Sequence, residues 1–370
     1  MLSEEQEELR QVVRAFLADT SPPSTVRRLM ETAEGYDPAV WRQMADQLGL
    51  QSLAIPEDYG GLGFGWVELG IVFEEMGRAL AGGPFLATVA LAAGALLASG
   101  DGQAAADLLP AIASGDCIAT LAVVEEGGRW DEAGIALEAT GDGAGAWVLT
   151  GHKTHVLDGT VAHLVLVAAR TGAGVSLFAV DETAPGLTRL PVSTLDLTRN
   201  LARLDFAAAP ARLIGRDGQG WPAVRAGLTL ATVALAAEQV GGADRCLEMA
   251  VEYAKQREQF GRPIGSFQAI KHKCADILVQ VEAARSAAAY AAWAAAEGDE
   301  DELLLAGSLA KAACSEAYQR AASENIQIHG AIGFTWEHDA HLYFKRAKSS
   351  SLLFGDPTYH RKLLAAGLGL

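Results

Sequence analysis

Apolar residues in the first third of the chain recur at helical spacing. Ser3 and Gln6 match a capping box, which predicts the start of a helix. The apolar positions behind the box follow the helical period: Leu9, Val12, Val13, Phe16 and Leu17. Similar patterns predict helices over residues 38–48, 66–79, 84–98 and 102–114, with a glycine-rich loop at 55–63. This part of the chain is therefore predicted to be helical.

The pattern changes between about Cys117 and Gly215. Short apolar and β-branched runs, bounded by Gly, Asp and Pro, replace the helical period: Ile118–Val124, Ala146–Leu149, Leu164–Ala168, Ser176–Val180 and Leu201–Phe206. No helical pattern separates these runs. They predict an antiparallel β-barrel or sandwich rather than a parallel sheet.

Long apolar stripes then return and continue to the end of the chain. They predict four helices: Ala223–Arg257, Phe267–Glu297, Glu302–His329 and Asp339–Ala347. Helices of this length favour a bundle. The whole pattern predicts an α+β protein with three domains: an N-terminal helical domain at 1–116, a middle β domain at 117–216 and a C-terminal four-helix bundle at 217–370.

Composition narrows the classes of partner. The formal net charge of −17 disfavours binding to nucleic acid, and no long apolar run without charge or glycine predicts a membrane span. The N-terminus is acidic and lacks the basic and apolar regions of a signal peptide, so a cytoplasmic protein is expected. The four cysteines have no metal-ligand spacing, which favours free thiols.

The segment from Arg257 to Gln268 joins two of the long predicted helices. An arginine at a helix end beside glycines suits a bidentate grip on an anion such as a pyrophosphate. Phe260 offers a face for stacking, and Gln268 offers a hydrogen-bond donor and an acceptor. The alternative is an ordinary helix–loop–helix connection in which Arg257 complements the helix dipole.

Three motifs together resemble the acyl-CoA dehydrogenase family. The segment R-E-Q-F-G-R-P-I-G-S-F-Q at 257–268 resembles its C-terminal signature, and Q-I-H-G-A-I-G-F at 327–334 resembles a second one. P-E-D-Y-G-G at 56–61 resembles the N-terminal loop of that family. The order helical, β, helical also matches the family over essentially the whole chain.

The resemblance implies a share in binding FAD across a dimer interface. It implies that Arg257, Phe260 and Gln268 hold the pyrophosphate and adenine end of an FAD whose flavin ring lies in the neighbouring subunit. Gln327, with Gly330 and Ala331, is implied to contribute to the same grip. Ala331 departs from the family, where a second glycine is usual, and its methyl group narrows the approach of a ligand to the backbone.

The residues that would hold the flavin ring depart further from the family. A threonine that hydrogen-bonds the flavin is replaced by Val124. In the K-x-[WF]-I-[TS]-N-G-like stretch that begins at Lys153, His155 stands in the place of the aromatic residue and Leu157 replaces the hydroxyl. Neither Val124 nor Leu157 can hydrogen-bond a flavin through its side chain.

The catalytic base of the family is also missing from its expected positions. Dehydrogenation of an acyl-CoA requires a carboxylate within reach of the α-proton. Aligned on Arg361, the usual glutamate position holds Phe354, and the alternative position on the first C-terminal helix holds Ala231. Glu238 lies seven residues beyond, about 10 Å along the helix axis. Asp356 is the nearby carboxylate, but before Pro357 it is more simply a turn residue.

Other chemical groups suggest no second site. Glu74 with Glu75 and Glu125 with Glu126 are interpreted as solvated charges. The histidines His329, His338 and His341 have no third ligand with convincing spacing, so satisfied surface histidines are expected rather than a metal site.

One interpretation explains both the cofactor-binding motifs that are retained and the flavin and base positions that depart from the family. The chain is predicted to be the non-catalytic subunit of a heterotetramer of the steroid type, which gives half of an FAD site to a glutamate-bearing paralogue acting on a bulky acyl-CoA thioester. Two alternatives stay open. One is a self-sufficient homotetrameric flavin dehydrogenase or oxidase that uses Asp356; the other is a scaffold protein that has lost FAD.

Overall fold

The computed structural model describes residues 2–370 and contains two compact units. One unit consists of residues 29–65 and 82–231, and the other of residues 2–28, 66–81 and 232–370. The helices are α1 (Glu4–Thr20), α2 (Pro23–Leu29), α3 (Pro38–Asp46), α4 (Trp66–Arg78), α5 (Ala93–Ala98), α6 (Gly102–Ala113), α7 (Trp221–Gln256), α8 (Gln268–Glu297), α9 (Glu300–His329), α10 (Ala340–Leu352) and α11 (Pro357–Gly367). The helical, β, helical order is therefore as predicted.

The strands lie in the middle of the chain, apart from one small hairpin. They are β1 (Ala119–Ala122), β2 (Glu138–Gly141), β3 (Trp147–Leu157), β4 (Leu164–Arg170), β5 (Val175–Asp181), β6 (Leu187–Pro191), β7 (Leu201–Ile214), β8 (Glu258–Gln259) and β9 (Arg262–Pro263). The pairings β4–β2–β3–β7–β5 return to β4 and close a barrel. β6 extends it beside β7.

The barrel is not wholly antiparallel. β1 pairs with β4 in parallel, and β2 meets β4 in parallel at Glu138 and Arg170, while the other pairings are antiparallel. β4 and β5 are buried at every position except their last residues, which explains their continuous apolar sequences. β2 and β6 did not stand out in the sequence because half or more of their positions are exposed.

In the helical unit, glycines allow α4 and α7 to approach closely. A Cβ on Gly77 would lie 1.8 Å from the carbonyl oxygen of Glu238, and a Cβ on Gly241 would lie 1.7 Å from that of Glu74. Small residues also fill the space between α7, α8 and α9, where the core consists largely of alanine. Backbone packing of this kind requires Gly or Ala at the contacts, since larger side chains would force the helices apart.

Buried ion pairs reinforce these helix contacts. Glu238 on α7 and Arg346 on α10 are nearly inaccessible and lie 2.9 Å apart. Glu75 on α4 is likewise buried and accepts two hydrogen bonds from Arg14 on α1, at 2.7 and 2.8 Å. The interpretation of Glu74 and Glu75 as solvated charges was wrong, because Glu74 also contacts arginines on α1 and α8.

Replacing Arg346 with Met is expected to destabilise the protein by about 3–5 kcal/mol, because a buried carboxylate would lose its guanidinium partner. The double change Glu238→Leu with Arg346→Met is expected to cost much less, since apolar side chains can fill the same volume without a buried charge. Denaturant unfolding followed by circular dichroism measures both. A single variant as stable as the original chain would contradict the role of this ion pair.

Candidate cofactor and substrate site

The loop between α7 and α8 forms a short exposed hairpin. β8 and β9 pair through Glu258 and Gln259, and the turn between them has positive φ at Phe260 (55°) and Gly261 (74°). Positive φ at both central residues is the pattern of a type I′ turn, which matches the twist of a hairpin. The carbonyl oxygen of Arg257 accepts a hydrogen bond from the N–H of Ile264 at 2.8 Å, which closes the base of the loop.

The predicted ligand-binding side chains of this loop are open to solvent. Phe260 is 91% exposed, and Arg257 and Gln268 are also exposed. Within residues 2–370 the Arg257 guanidinium makes no hydrogen bond or ion pair. The first turn of α8 has no side-chain cap, and the N–H group of Ile270 donates to the Phe267 carbonyl, which leaves the N–H groups of Gln268 and Ala269 for an anion. These features fit the pyrophosphate and adenine end of FAD.

The end of α9 lies against the base of the same loop. Ile328 is buried among residues at the end of α7, and Ile264 and Ile270 from the loop and α8 pack on this cluster. Gln327 and Ala331 are exposed, and Gly330 has φ 67° and ψ −144°, a conformation that is open almost solely to glycine. The structure therefore brings the two C-terminal motifs to the same end of the helical unit. The individual contacts of Gln327, Gly330 and Ala331 with FAD stay a prediction.

The histidines near this end are not on the surface as expected. His329 and His341 are each only 6% exposed, and the ring of His329 is stacked between other rings. The expectation of satisfied surface histidines was wrong for His329, at the end of α9, and for His341, in the first turn of α10, while His338 is partly exposed. In the part of the chain that the structure describes, no three His, Cys, Asp or Glu residues are placed to hold a metal ion.

The β unit brings together the two motifs that would hold a flavin ring. The N–H of Thr154 donates to the carbonyl oxygen of Val124 at 2.8 Å, so the two segments are neighbours. Val124 and Leu157 are buried, and the Leu157 carbonyl oxygen accepts from the Thr120 hydroxyl at 2.6 Å. His155 is exposed with φ 52° at an irregularity in β3. The positions are thus adjacent, but Val124 and Leu157 present only hydrocarbon side chains.

A buried lysine holds these two segments together. Lys153 donates to the carbonyl oxygen of Val123 at 2.9 Å and to Glu125 at 2.7 Å. Burial lowers the pKa of Lys153 to about 8, although Glu125 opposes this. Burial would raise the pKa of Glu125, but hydrogen bonds from Lys153 and from the N–H groups of Leu137 and Ala136 hold it below its usual value. The interpretation of Glu125 as a solvated charge was therefore wrong.

The expected position of the base is occupied by a buried aromatic side chain. Phe354 is 3% exposed and has φ 61°, and it is followed by Gly355 with φ 104°. The other positions offer no substitute, since Ala231 is buried and Glu238 is paired with Arg346.

Asp356 was expected to be a turn residue, and in the structure it caps the start of a helix. Its carboxylate accepts a hydrogen bond from the N–H of Tyr359 at 2.7 Å, at the start of α11. The side chain also borders an open polar groove of about 630 Å³ between α9, α10 and α11. Asp356 is therefore solvent-accessible but already engaged by the backbone.

The turn at Phe354 is fixed through its carbonyl groups. Buried Lys311 donates to the carbonyl oxygens of Gly355 at 3.0 Å and Ser351 at 3.2 Å. His360 lies 3.1 Å from the Phe354 carbonyl oxygen through Nε2. Burial lowers the pKa of Lys311 to about 7 and that of His360 to about 4. The sequence did not reveal either residue, because a buried side chain that contacts distant carbonyl groups has no local sequence signature.

Comparison with known proteins decides the family. Models of the acyl-CoA dehydrogenase N-terminal, middle and C-terminal domains match residues 3–116, 120–202 and 218–369. The chain belongs to the acyl-CoA dehydrogenase family. Members of this family are FAD-dependent, so the prediction of FAD as the cofactor is confirmed at that level.

Similar acyl-CoA dehydrogenases include proteins of steroid-type systems. The chain is 38% identical to acyl-CoA dehydrogenase IpdE2 of Mycobacterium tuberculosis, over 96% of this chain and 94% of that protein. Its fold matches a single-residue variant of the Tcur3481–Tcur3483 steroid acyl-CoA dehydrogenase with a TM-score of 0.89 and 32% identity, covering 99% and 98% of the two chains.

A further match is the ChsE4–ChsE5 complex of Mycobacterium tuberculosis, with a TM-score of 0.89 and 33% identity over 100% of this chain and 98% of that one. The predicted resemblance to steroid-type heteromeric acyl-CoA dehydrogenases is thereby confirmed. Across residues 2–370, no helix is long and apolar enough to cross a membrane.

Proposed function

We propose that this acyl-CoA dehydrogenase chain is a non-catalytic subunit that completes the FAD site of a glutamate-bearing paralogue. The reaction is the α,β-dehydrogenation of an acyl-CoA thioester, in which bound FAD accepts the hydride from the β-carbon. A carboxylate of the partner removes the α-proton. This chain supplies Arg257, Phe260, Gln268, Gln327 and the Gly330–Ala331 backbone to the adenine and pyrophosphate end.

The observation that carries this proposal is the contrast between the two halves of the site. The Arg257 loop exposes a guanidinium without a partner in the described chain and a phenyl ring that is 91% exposed. The rings of Phe260 and Phe267 meet edge to face, so a face of the Phe260 ring and a guanidinium are open to a ligand or another chain. The base position, by contrast, is filled by buried Phe354, which can neither accept nor transfer a proton.

The likeness to heteromeric proteins supports a paralogous partner. The ChsE4–ChsE5 complex and the Tcur3481–Tcur3483 protein each combine two different chains, and both match essentially the whole of this one. We further propose a bulky, steroid-type acyl group as the substrate class, since the second of these is a steroid acyl-CoA dehydrogenase. A cytoplasmic location is part of the same proposal.

A second candidate function rests on Asp356. Its exposed carboxylate borders a groove of about 630 Å³, within the size range of small-molecule sites. A homotetrameric flavin enzyme could use it as the base, if Val124 and Leu157 still tolerate a flavin ring. The cap that Asp356 makes to Tyr359 argues against this role, because that hydrogen bond already engages the carboxylate and fixes it at the start of a helix.

Flavin stoichiometry is the first test. Purified alone, the chain is expected to hold little FAD, and co-expressed with the glutamate-bearing paralogue it should give about one FAD per two chains. Visible absorbance against protein concentration measures both. One FAD per chain in the lone protein would contradict the shared site, and a colourless complex would favour a scaffold that has lost the cofactor.

Substitutions in the exposed loop test the half-site itself. Arg257→Gln in the assembled complex is expected to weaken FAD retention about 10- to 100-fold, because a charge-assisted hydrogen bond to phosphate is lost. Phe260→Asn should also weaken it, and Asn tolerates the positive φ of the turn. Flavin released on gel filtration is the readout.

Neither loop variant should shift the unfolding midpoint of the lone chain, since both side chains are exposed. Arg129→Gln is the matched control, because Arg129 is an exposed arginine of the other unit, where it pairs with Asp131. Loop variants that retain FAD as well as this control does would contradict the half-site.

Asp356→Asn separates the two candidate functions. Asn caps helices about as well as Asp, so α11 should keep its start. Under the proposal, the kcat of the assembled complex stays nearly unchanged, while under the alternative it is abolished because the base is gone. A loss of more than about 100-fold in kcat with unchanged FAD content would favour Asp356 as the base.

A further inference from the structure

Three stacked rings form a column at the end of the helical unit. The ring centroids of His329 and Tyr253 are 4.3 Å apart with an interplanar angle of 29°, and those of His329 and His338 are 4.3 Å apart at 49°. These distances allow attractive packing of the rings. The column joins the end of α7 to the end of α9 and to the segment before α10.

Hydrogen bonds fix the orientation of both histidines. His329 Nδ1 lies 2.8 Å from the carbonyl oxygen of Asn325, which can only accept, so this nitrogen carries the hydrogen. His338 Nδ1 accepts from the N–H of Ala340 at 3.1 Å, at the start of α10. His329 is followed directly by Gly330, whose backbone conformation is special. The column therefore lies at the point where the chain leaves α9.

We infer that His329 and His338 are positioning residues that hold the Gln327–Gly330 turn in the conformation that grips the cofactor, and that they release it in acid. This inference rests on the proposed half-site. Neither histidine needs to touch FAD. They act through the backbone, because His329 lies between Gln327 and Gly330 in the sequence and its ring cannot move while it is held between Tyr253 and His338.

The charge state of the column makes its effect dependent on pH. Burial lowers the pKa of His329, the Asn325 carbonyl opposes this, and His338 adds to the lowering. Burial also lowers the pKa of His338, where the Asp339 carboxylate opposes it and the Arg27 guanidinium adds to it. Arg27 on α2 and Asp339 are themselves paired at 2.7 Å, and Tyr253 is the titratable group facing from α7.

The sign of the effect follows from these directions. Both pKa values lie below the ordinary value of 6.5, so the stabilisation from neutral rings is fully present above pH 6.5. It is lost as the pH falls through the lowered values, when two cationic rings would face each other at 4.3 Å. FAD retention by the complex is therefore expected to weaken on acidification below pH 6.5.

Two variants at one position separate ring packing from hydrogen bonding and charge. His338→Phe keeps a stacking ring but removes the titrating group and the acceptor for Ala340. His338→Asn keeps an acceptor for that N–H but removes the ring. Each is tested in the holo complex with the paralogue, by measuring flavin fluorescence released between about pH 5.5 and 8, on either side of the ordinary histidine pKa, with Arg257→Gln alongside.

The expected result is that His338→Phe retains FAD as the original complex does at the alkaline end of this range and loses most of the acid-induced release. His338→Asn should release FAD about three- to tenfold more readily at every pH, which is the scale of one lost ring contact. Two results would overturn the inference: FAD retention in His338→Asn equal to that of the original complex, or full acid-induced FAD release in His338→Phe. In the same experiment, weaker FAD retention in Arg257→Gln shows that the half-site is being measured. Unchanged retention in Arg257→Gln would overturn the proposed function and the inference together.

Discussion

Close packing of α7 against α4 and α9 is the constraint on which the cofactor-binding end depends. The glycines at 77 and 241 let backbones touch, and Gly242 leaves no room for a side chain beside Tyr318. With the helices locked in register, the ends of α7 and α9 lie side by side, and the small cluster around Ile328 fixes them. Two motifs about 60 residues apart in the sequence thus form one surface. The rise per residue of a helix is fixed, so the packing of the helices in the core also determines where their ends lie.

The turn at the expected base position keeps a fixed backbone, although its side chain is a phenyl ring and not a carboxylate. Phe354 adopts a left-handed conformation that costs a non-glycine residue energy, and the turn is held by Lys311 and His360 through carbonyl oxygens. Because Lys311 and His360 contact only carbonyl oxygens of the turn, a phenyl ring can stand at position 354 in place of a carboxylate without unfolding the turn. A similar arrangement occurs in the β unit, where Lys153 joins β3 to the segment after β1, beside Val124 and Leu157, whose side chains offer no hydrogen bond.

The sequence predicted most of the fold because long apolar periods and three ordered motifs constrain it. The helix at 268–297 was placed within one residue of its observed start, whereas α11 and the exposed strand β6 were missed for lack of a strong period. Motifs pointed to Arg257 and Phe354 as site positions, and the structure shows the first exposed and the second buried, while their roles stay predictions. Lys311, Lys153 and the ring column were not predicted, since their partners are far apart in sequence and buried cations and stacked histidines have no local signature.

A site divided in this way restricts which assemblies can work. In a symmetric pair of identical chains, each would offer its Arg257 loop to a neighbour whose flavin positions are Val124 and Leu157, so neither site would be complete. Pairing with a chain that keeps the flavin pocket and the glutamate gives one complete site, and leaves the reciprocal one without a base. In such a pair the missing base of this chain costs no activity, because this chain is required only for the Arg257 end of the cofactor site. Under the proposed shared site, the exposed Phe260 serves a neighbouring chain, and the buried Phe354 fills a position that this chain does not use for a base.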